Sequence, residues 1–432
     1  MSQVYKRTFV HVFSDPVEAI WPALADTARY NEAAGFPKQQ IEERKQADGT
    51  VRLFAEAKIG KVSLAWEGFP VEWILHRWFW HWREFSRGPI ATLGARATFE
   101  PTPEGGCTCH YEIEVTPANA LGWVILNTAF FKSARAEFER LCSEAEKWAQ
   151  GVNPLPFVVK THELDAVQRR RIDDMILALE RSPYGHGLGD RLVEWVLRSS
   201  EIDLVRIRPI ELAREMNVGT REMVEACLQS VRVGLLQQRW DLMCPRCRGA
   251  KLTVDGLDQL PESAHCSACN IDYDRDFARN VELTFNPAPA LRSVYDGEFC
   301  LGGPRTTPHV VAQLKVAADD ARRTGGELPP GNYRFRTLDS GPYLDFDHPG
   351  GPVPEMVVTD HEIVAGPVQP PGELASPNRH SRPRVAGIQQ RECATNALSA
   401  GRGAPSQAFP HIGPAERRPP AAGAGRSTAA LL

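Results

Sequence analysis

The chain has 432 residues, 42% apolar and 24% charged, which is the make-up of a folded globular protein with room for two to four domains. A formal net charge of −4 excludes a global field that would draw it to nucleic acid or to an acidic membrane surface. The opening MSQVYKRTFVHVF has no secretory apolar core, and the most apolar run, Ala120 to Phe131, is interrupted by Gly122 and Asn127 and is shorter than the roughly 20 residues of a membrane span.

Residues 1–151 form the first expected unit. YKRTFVHVF has the β-formers of a strand, and SDPVEAIWPALAD should be a helix with Ser14 or Asp15 as its cap and Pro16 at its first position. Strand-like runs punctuated by Gly and Pro follow: GTVRLFAEAKIG, KVSLAWEGF, EWILHRWFWHWREF, ATLGARATFEP and CTCHYEIEVTP. FKSARAEFERLCSEAEKWAQG then predicts a long helix with Ala134, Phe138, Leu141, Ala145 and Trp148 on one face, stopped by Gly151. Strand, short helix, antiparallel strands and long helix make an α+β layout, a curved sheet around a final helix. This element order, with SDPVEAIWPALAD, resembles the polyketide cyclase/START-like (Bet v 1-like) superfamily, and the resemblance implies a helix-grip fold enclosing an apolar cavity. Within RWFWHW, Trp78, Trp80 and Trp82 share one strand face, with Phe79 and His81 on the other. The three indoles are candidate ligand-binding residues in the wall of a cavity for an apolar small molecule; the alternative is that they fill the core.

Residues 152–163, with Pro154 and Pro156, form the expected linker. Residues 164–240 should be a helical module. Leu164, Val167, Ile172, Ile176 and Leu179 mark one buried stripe, and LGDRLVEWVLRSS a second helix. RPIELAREMNV and REMVEACLQSVRVGLL, joined at Gly219, have a helix-turn-helix pattern with Val224, Cys227, Leu228, Val231 and Leu235 facing inward. QQRWDLM would complete a winged-helix-like unit. A DNA-binding regulator is one alternative function, but Glu222 and Glu225 lie on the outward face beside Arg221, Gln229 and Arg232, and carboxylates there oppose phosphate contact. Nucleic acid is therefore not the expected partner.

Residues 241–280 carry Cys244, Cys247, Cys266 and Cys269 as C-x2-C-x18-C-x2-C, the spacing of a zinc ribbon. Each C-x2-C pair turns two sulfurs inward, and four thiolates complete a tetrahedron around Zn²⁺. A closed set of four leaves no position for water, so the expected zinc is structural. His265 and Cys300 are surplus to it. Residues 281–365 should be a β-rich domain, with strands in NVELTFNPAP, HVVAQLKVAADD and GNYRFRTLD. The ten cysteines are expected as free thiols or ligands of a cytoplasmic protein, where thiols stay reduced.

The ribbon from RWDLMCPRCRG to NVELTFNPAP, together with FCLGGPRTTPHVVAQ and PPGNYRFRTL, resembles a domain of unknown function that precedes the catalytic domain in a group of bacterial class III adenylate/guanylate cyclases. There a START-like domain often comes first. The resemblance implies a sensory, regulatory region of a nucleotide cyclase. The two-aspartate catalytic pattern of that family is missing: VVTDHE at 357–362 has His361 and Glu362 where a loop of small residues should follow, and no Lys-Thr-x-Gly-Asp stretch exists. From 366 to 432 Pro, Ala, Gly, Ser and Arg dominate, so a disordered and out-of-frame tail is expected, with a frameshift at 370–390. The chain itself is then not expected to catalyse cyclisation. The other alternative is a polyketide cyclase- or dehydratase-like enzyme working in the cavity, for which no acid–base pair shows in the spacing.

Overall fold

Antiparallel pairing of consecutive strands builds the first half of the chain. In this computed structural model the described residues run from 3 to 390, apart from 46–50, 267–268, 270, 295–296, 317–320, 323–326, 338–341, 360, 366–375 and 378–383. Strand β1 (Tyr5–Phe13) is followed by helices α1 (Val17–Leu24) and α2 (Thr27–Ala33). Then come β2 (Gln40–Lys45), β3 (Val51–Ile59), β4 (Val62–Gly68), β5 (Glu72–Ile74), β6 (Trp78–Arg87), β7 (Ile90–Pro101) and β8 (Cys107–Pro117). β8 shows the two-residue period that shapes the layer. Cys107, Cys109, Ile113 and Val115 are buried, while Thr108, His110, Glu112 and Glu114 alternate with them.

A short helix α3 (Ala120–Ile125) and a π-turn at Leu126–Phe130 lead into α4 (Phe131–Ala149). Phe138, Leu141, Cys142, Ala145 and Trp148 of α4 are buried against Ile20 and Trp21 of α1 and Phe79, Phe99, Cys107 and Cys109 of the sheet. Ala134, expected on the same face, packs in a neighbouring cluster with Ile113 and Leu126. The start of α1 differs from expectation: its N-cap is Pro16, with no side-chain cap. Ser14 serves α4 instead, its N–H and hydroxyl both donating to Glu146 Oε1 at 3.0 and 2.9 Å.

β6 forks the sheet. Its first half pairs with β5 and its second half with β4, which continues into β3 and β2. Beyond β5 lies β14 (Val310–Val316), in antiparallel register with Ala312 opposite Ile74 and Gln313 opposite Trp73. Strands Arg384–Gln390, Gly331–Thr337 and Tyr343–His348 follow in that order. Within 281–365, Val310–Val316, Gly331–Thr337 and Tyr343–His348 thus extend the N-terminal sheet, with a core of Leu314, Val316, Tyr333, Phe335, Met356 and Ile388, while Val281–Pro287 pairs elsewhere. Residues 384–390, expected in a structureless tail, occupy a slot between two strands. Backbone pairing on both sides holds them despite their weak apolar pattern. The remaining tail, 391–432, lies outside the described residues.

The middle of the chain is helical: α5 (Ala166–Glu180), α6 (Gly189–Arg198), α7 (Glu201–Val205), α8 (Pro209–Glu215) and α9 (Thr220–Val233). Asp165 caps α5 in a reciprocal capping box with Gln168. Ile172, Ile176 and Leu179 are buried as expected, but Val167 is 78% exposed because it lies in the first turn, beyond the contact. α9 buries Met223, Ala226, Cys227 and Ser230 and leaves Leu228 exposed, a face turned slightly from the expected one by packing against both α8 and α5. Gly234, at φ 86°, ends α9 in the left-handed region that glycine tolerates. The chain then enters β9 (Leu236–Met243), which pairs with β10 (Ala250–Val254) and β13 (Val281–Pro287).

Two polar clusters fix this module. Arg29 of α2 makes a bidentate pair with Asp203 of α7, and Lys38 meets Glu201 at 2.8 Å. Asp241, fully buried on β9, accepts from Arg206 Nε at 2.7 Å, from the Thr284 hydroxyl at 2.9 Å and from the Thr253 hydroxyl. Removing one member of a buried charge pair strands the other, at a cost of about 3–5 kcal/mol. Asp241→Ala should therefore lower stability by about 3 kcal/mol, read as a fall in the urea midpoint at unchanged slope.

Candidate functional site: a four-cysteine centre and the concave face of the sheet

The four cysteines sit at the ends of two hairpins. β9 stops at Met243 and Cys244 follows directly; β10 starts at Ala250. Between them Arg248 takes φ 54°, and its N–H donates to Cys244 O at 2.9 Å. This tight knuckle lets Arg246 N–H point at Cys244 Sγ, 3.4 Å away. The second pair lies at the tip of β11 (Ser263–Cys266) and β12 (Ile271–Asp274), where Cys269 N–H donates to Cys266 O at 3.2 Å. All four cysteines are buried, with Leu242, Leu260 and Tyr273 around them.

The four sulfurs lie within 4.8 Å of one another. Thiolates about 2.3 Å from a tetrahedral centre stand about 3.8 Å apart, and Cys247 Sγ lies 3.8 Å from Cys266 Sγ. The cluster can hold a metal ion. Sulfurs this close share protons unequally when no cation stands between them: hydrogen bonds from Cys244 and the other two pull Cys266 down, while Cys247 and Cys266 push Cys244 up. A divalent cation removes that conflict by ionising the set together.

The surroundings suit such a charge. Burial opposes the Lys251 ammonium, but the Cys266, Cys247 and Cys244 sulfurs outweigh it and raise its pKa. His309 Nε2 lies 3.4 Å from Cys269 Sγ, in the position of an outer partner to a metal thiolate. Sequence reasoning missed both residues, since neither spacing to the cysteines signals them. His265 turns outward to Asp272 at 2.9 Å.

The second sequence-derived site is displaced. Trp78, Trp80 and Trp82 lie on the face of β6 away from α4. Trp78 packs on the core of the later strands with the Arg96 guanidinium 4.4 Å from its ring, and Trp82 Nε1 donates to Glu84 at 3.0 Å. Phe79 and His81 face α4. The alternation on β6 was right, but α4 and α1 chose the other face. The face of the sheet toward α4 carries Phe79, His81 and Tyr111; Tyr111 stacks on Phe138 at 5.3 Å and meets Tyr30 of α2 at 6.3 Å.

The groups beneath the sheet are neutral at ordinary pH. Burial, with a smaller push from Arg83, lowers His81 from 6.5 to about 3. Burial raises Tyr111 to about 12 and Tyr30 well above its usual value. His81 Nε2 is buried with no hydrogen-bond partner among the described residues.

Residues 174–298 match a protein family described as a family of unknown function, DUF5939. The match runs from within α5 through the cysteine hairpins and β13. No curated protein matches the chain. Among solved structures it is similar to the Zhui aromatase/cyclase from Streptomyces sp. R1128, at 11% identity and TM-score 0.27, over 34% of this chain and 95% of that one. It is also similar to a norcoclaurine synthase from Thalictrum flavum, at 9% and 0.25, over 35% and 97%. Protein CV1439 from Chromobacterium violaceum gives 14% and 0.24, over 33% and 96%. Scores this low carry no weight for function.

The outward face of α9 is internally compensated. Glu225 accepts from Arg221 Nε and lies 2.8 Å from His186 Nε2. No helix of the described residues is long and apolar enough to cross a membrane.

Two outcomes follow from this chemistry. Replacing Cys266 or Cys269 by serine should abolish bound metal, seen by native mass spectrometry as loss of one ion per chain, and should make the 244–274 hairpins protease-sensitive. The folded chain keeps His81 neutral while the unfolded chain binds a proton near pH 6.5, so the stability it contributes is complete above 6.5 and is lost as pH falls toward 3. The melting temperature should drop across that window. His81→Gln should flatten the drop, leaving the part due to the other histidines that burial lowers, His11, His76, His162 and His309.

Proposed function

We propose that this chain is a ligand-sensing, regulatory region of the kind that precedes a class III nucleotide cyclase domain. Its first unit is a START-like receptor for a small, mostly apolar molecule, and its cysteine hairpins hold a structural zinc ion. The concave face supports the receptor reading: an aromatic wall with the Tyr30 and Tyr111 hydroxyls and the neutral His81 ring. Such a surface favours an uncharged, flat ligand with one or two hydrogen-bonding groups. We favour binding over turnover because burial holds His81 neutral and its Nε2 has no hydrogen-bond partner among the described residues.

Zinc is favoured over other ions by the all-sulfur set and by the tetrahedral spacing of the sulfurs. The closed set makes it a clip that ties β9, β10, β11 and β12 around the small core of Leu242, Leu260 and Tyr273. Nucleic acid is not part of the proposal, given the paired charges on α9.

The chain should retain zinc through purification and bind 2-naphthol, a neutral planar phenol, with one site seen by titration calorimetry. Saturable binding should weaken several-fold in Tyr111→Leu. Incubation with ATP or GTP and Mn²⁺ should give no cyclic nucleotide; its formation would sink the reading of this chain as a non-catalytic region.

A further inference from the structure

A segment from outside the first unit enters its concave face. Glu298 and Gln39 exchange backbone hydrogen bonds at 2.9 and 2.8 Å, and the side-chain amides of Asn31 and Gln39 both donate to Phe299 O at 2.8 Å. Cys300 is buried, with the Thr27 hydroxyl 3.3 Å and His81 Nδ1 4.0 Å from its sulfur. Leu301 joins the apolar cluster of Ala55, Ala57, Trp66 and Phe85. A Cβ on Gly68 would lie 1.6 Å from Leu301 Cδ1, so the leucine rests directly on β4. Phe85 shares the inward side of β6 with Phe79 and His81, which places Leu301 inside the curve of the sheet.

The same segment reaches the metal centre. A single turn at Pro304–Thr306 follows, and His309 then meets Cys269 Sγ at 3.4 Å. The next residue, Val310, accepts from Trp73 Nε1 at 3.1 Å as β14 joins the sheet. One short stretch thus lies 4.0 Å from His81 at Cys300 and 3.4 Å from Cys269 Sγ at His309.

We propose that residues 298–309 are a strap that fills part of the concave face in competition with the ligand, and that its displacement is felt at the metal centre through His309. The proposal rests on the receptor reading above. The interior favours exchange of one neutral occupant for another. Leu301 and Cys300 fill the wall with apolar and sulfur atoms, and a planar phenol offers similar area plus a hydroxyl for His81 or the tyrosines. Coupling is reciprocal, so what the probe does to the metal the metal must do to the probe.

The test uses the full zinc-loaded chain, 2-naphthol and a chelator. Leu301→Ala gives the strap less to lose and should bind 2-naphthol at least about threefold tighter than wild type. Gly303→Ala adds a Cβ 2.5 Å from the Thr27 hydroxyl and so pries the strap from α2 without emptying the core; it should act in the same direction. In wild type, saturating 2-naphthol should speed zinc loss to the chelator at least about threefold, and the effect should vanish in His309→Ala. Equal probe affinity in wild type and both strap variants, or zinc loss that ignores the probe, overturns the strap. Failure of wild type and both variants alike to bind 2-naphthol overturns the receptor reading itself, and the strap with it.

Discussion

The junction of β5 with β14 is the constraint on which the rest depends. Trp73 and Val310 are 237 residues apart in sequence, yet the indole donates to that carbonyl and the two strands pair edge to edge. Glu72, buried, accepts from the Lys315 N–H at 2.8 Å, and the Gln313 amide donates to Val71 O at 2.9 Å. Closing so long a loop costs entropy that grows only slowly with length, so a few buried hydrogen bonds and a shared core can offset it. Once the edge is joined, the intervening segment has fixed ends. The helices, the cysteine hairpins and the strap must all fit between them, which is why they lie against the first unit.

That arrangement shows what a metal would add at the four cysteines. The hairpins project from the end of the β9–β13 sheet, and β11 and β12 are four residues each. Two short strands bury too little to be stable alone. A metal held by the four sulfurs would add to the small core of Leu242, Leu260 and Tyr273 around them, and Lys251 and His309 bring an ammonium and a ring nitrogen to the sulfurs. His309 belongs to the segment leading into β14, so the centre is tied to the shared sheet as well as to its own hairpins.

The interior of the first unit shows a different balance. Burial drives His81 and both tyrosines toward their uncharged forms, with Arg83 pushing His81 further down and Tyr111 slightly back. Charge is instead spent at the joint between units, where Arg29, Asp203, Lys38 and Glu201 meet.

The cysteine cluster was legible in the sequence because its geometry is local: two C-x2-C knuckles with a turn between them fix four sulfurs with little help from elsewhere. The helix face of α4 and the alternation of β8 were legible for the same reason, since periods of 3.6 and 2 are properties of a single element. The side of β6 that faces inward was not. Alternation groups Trp78 with Trp80 and Trp82, but only the packing of α1 and α4 decides which group they cover. Nor could sequence show that 384–390 forms a strand, because its pairing partners lie in β14 and 331–337 and supply the hydrogen bonds that its own pattern does not advertise. Local spacing determined the four-cysteine cluster and the elements; long-range edge pairing and helix docking, which no single segment encodes, decided which surfaces meet.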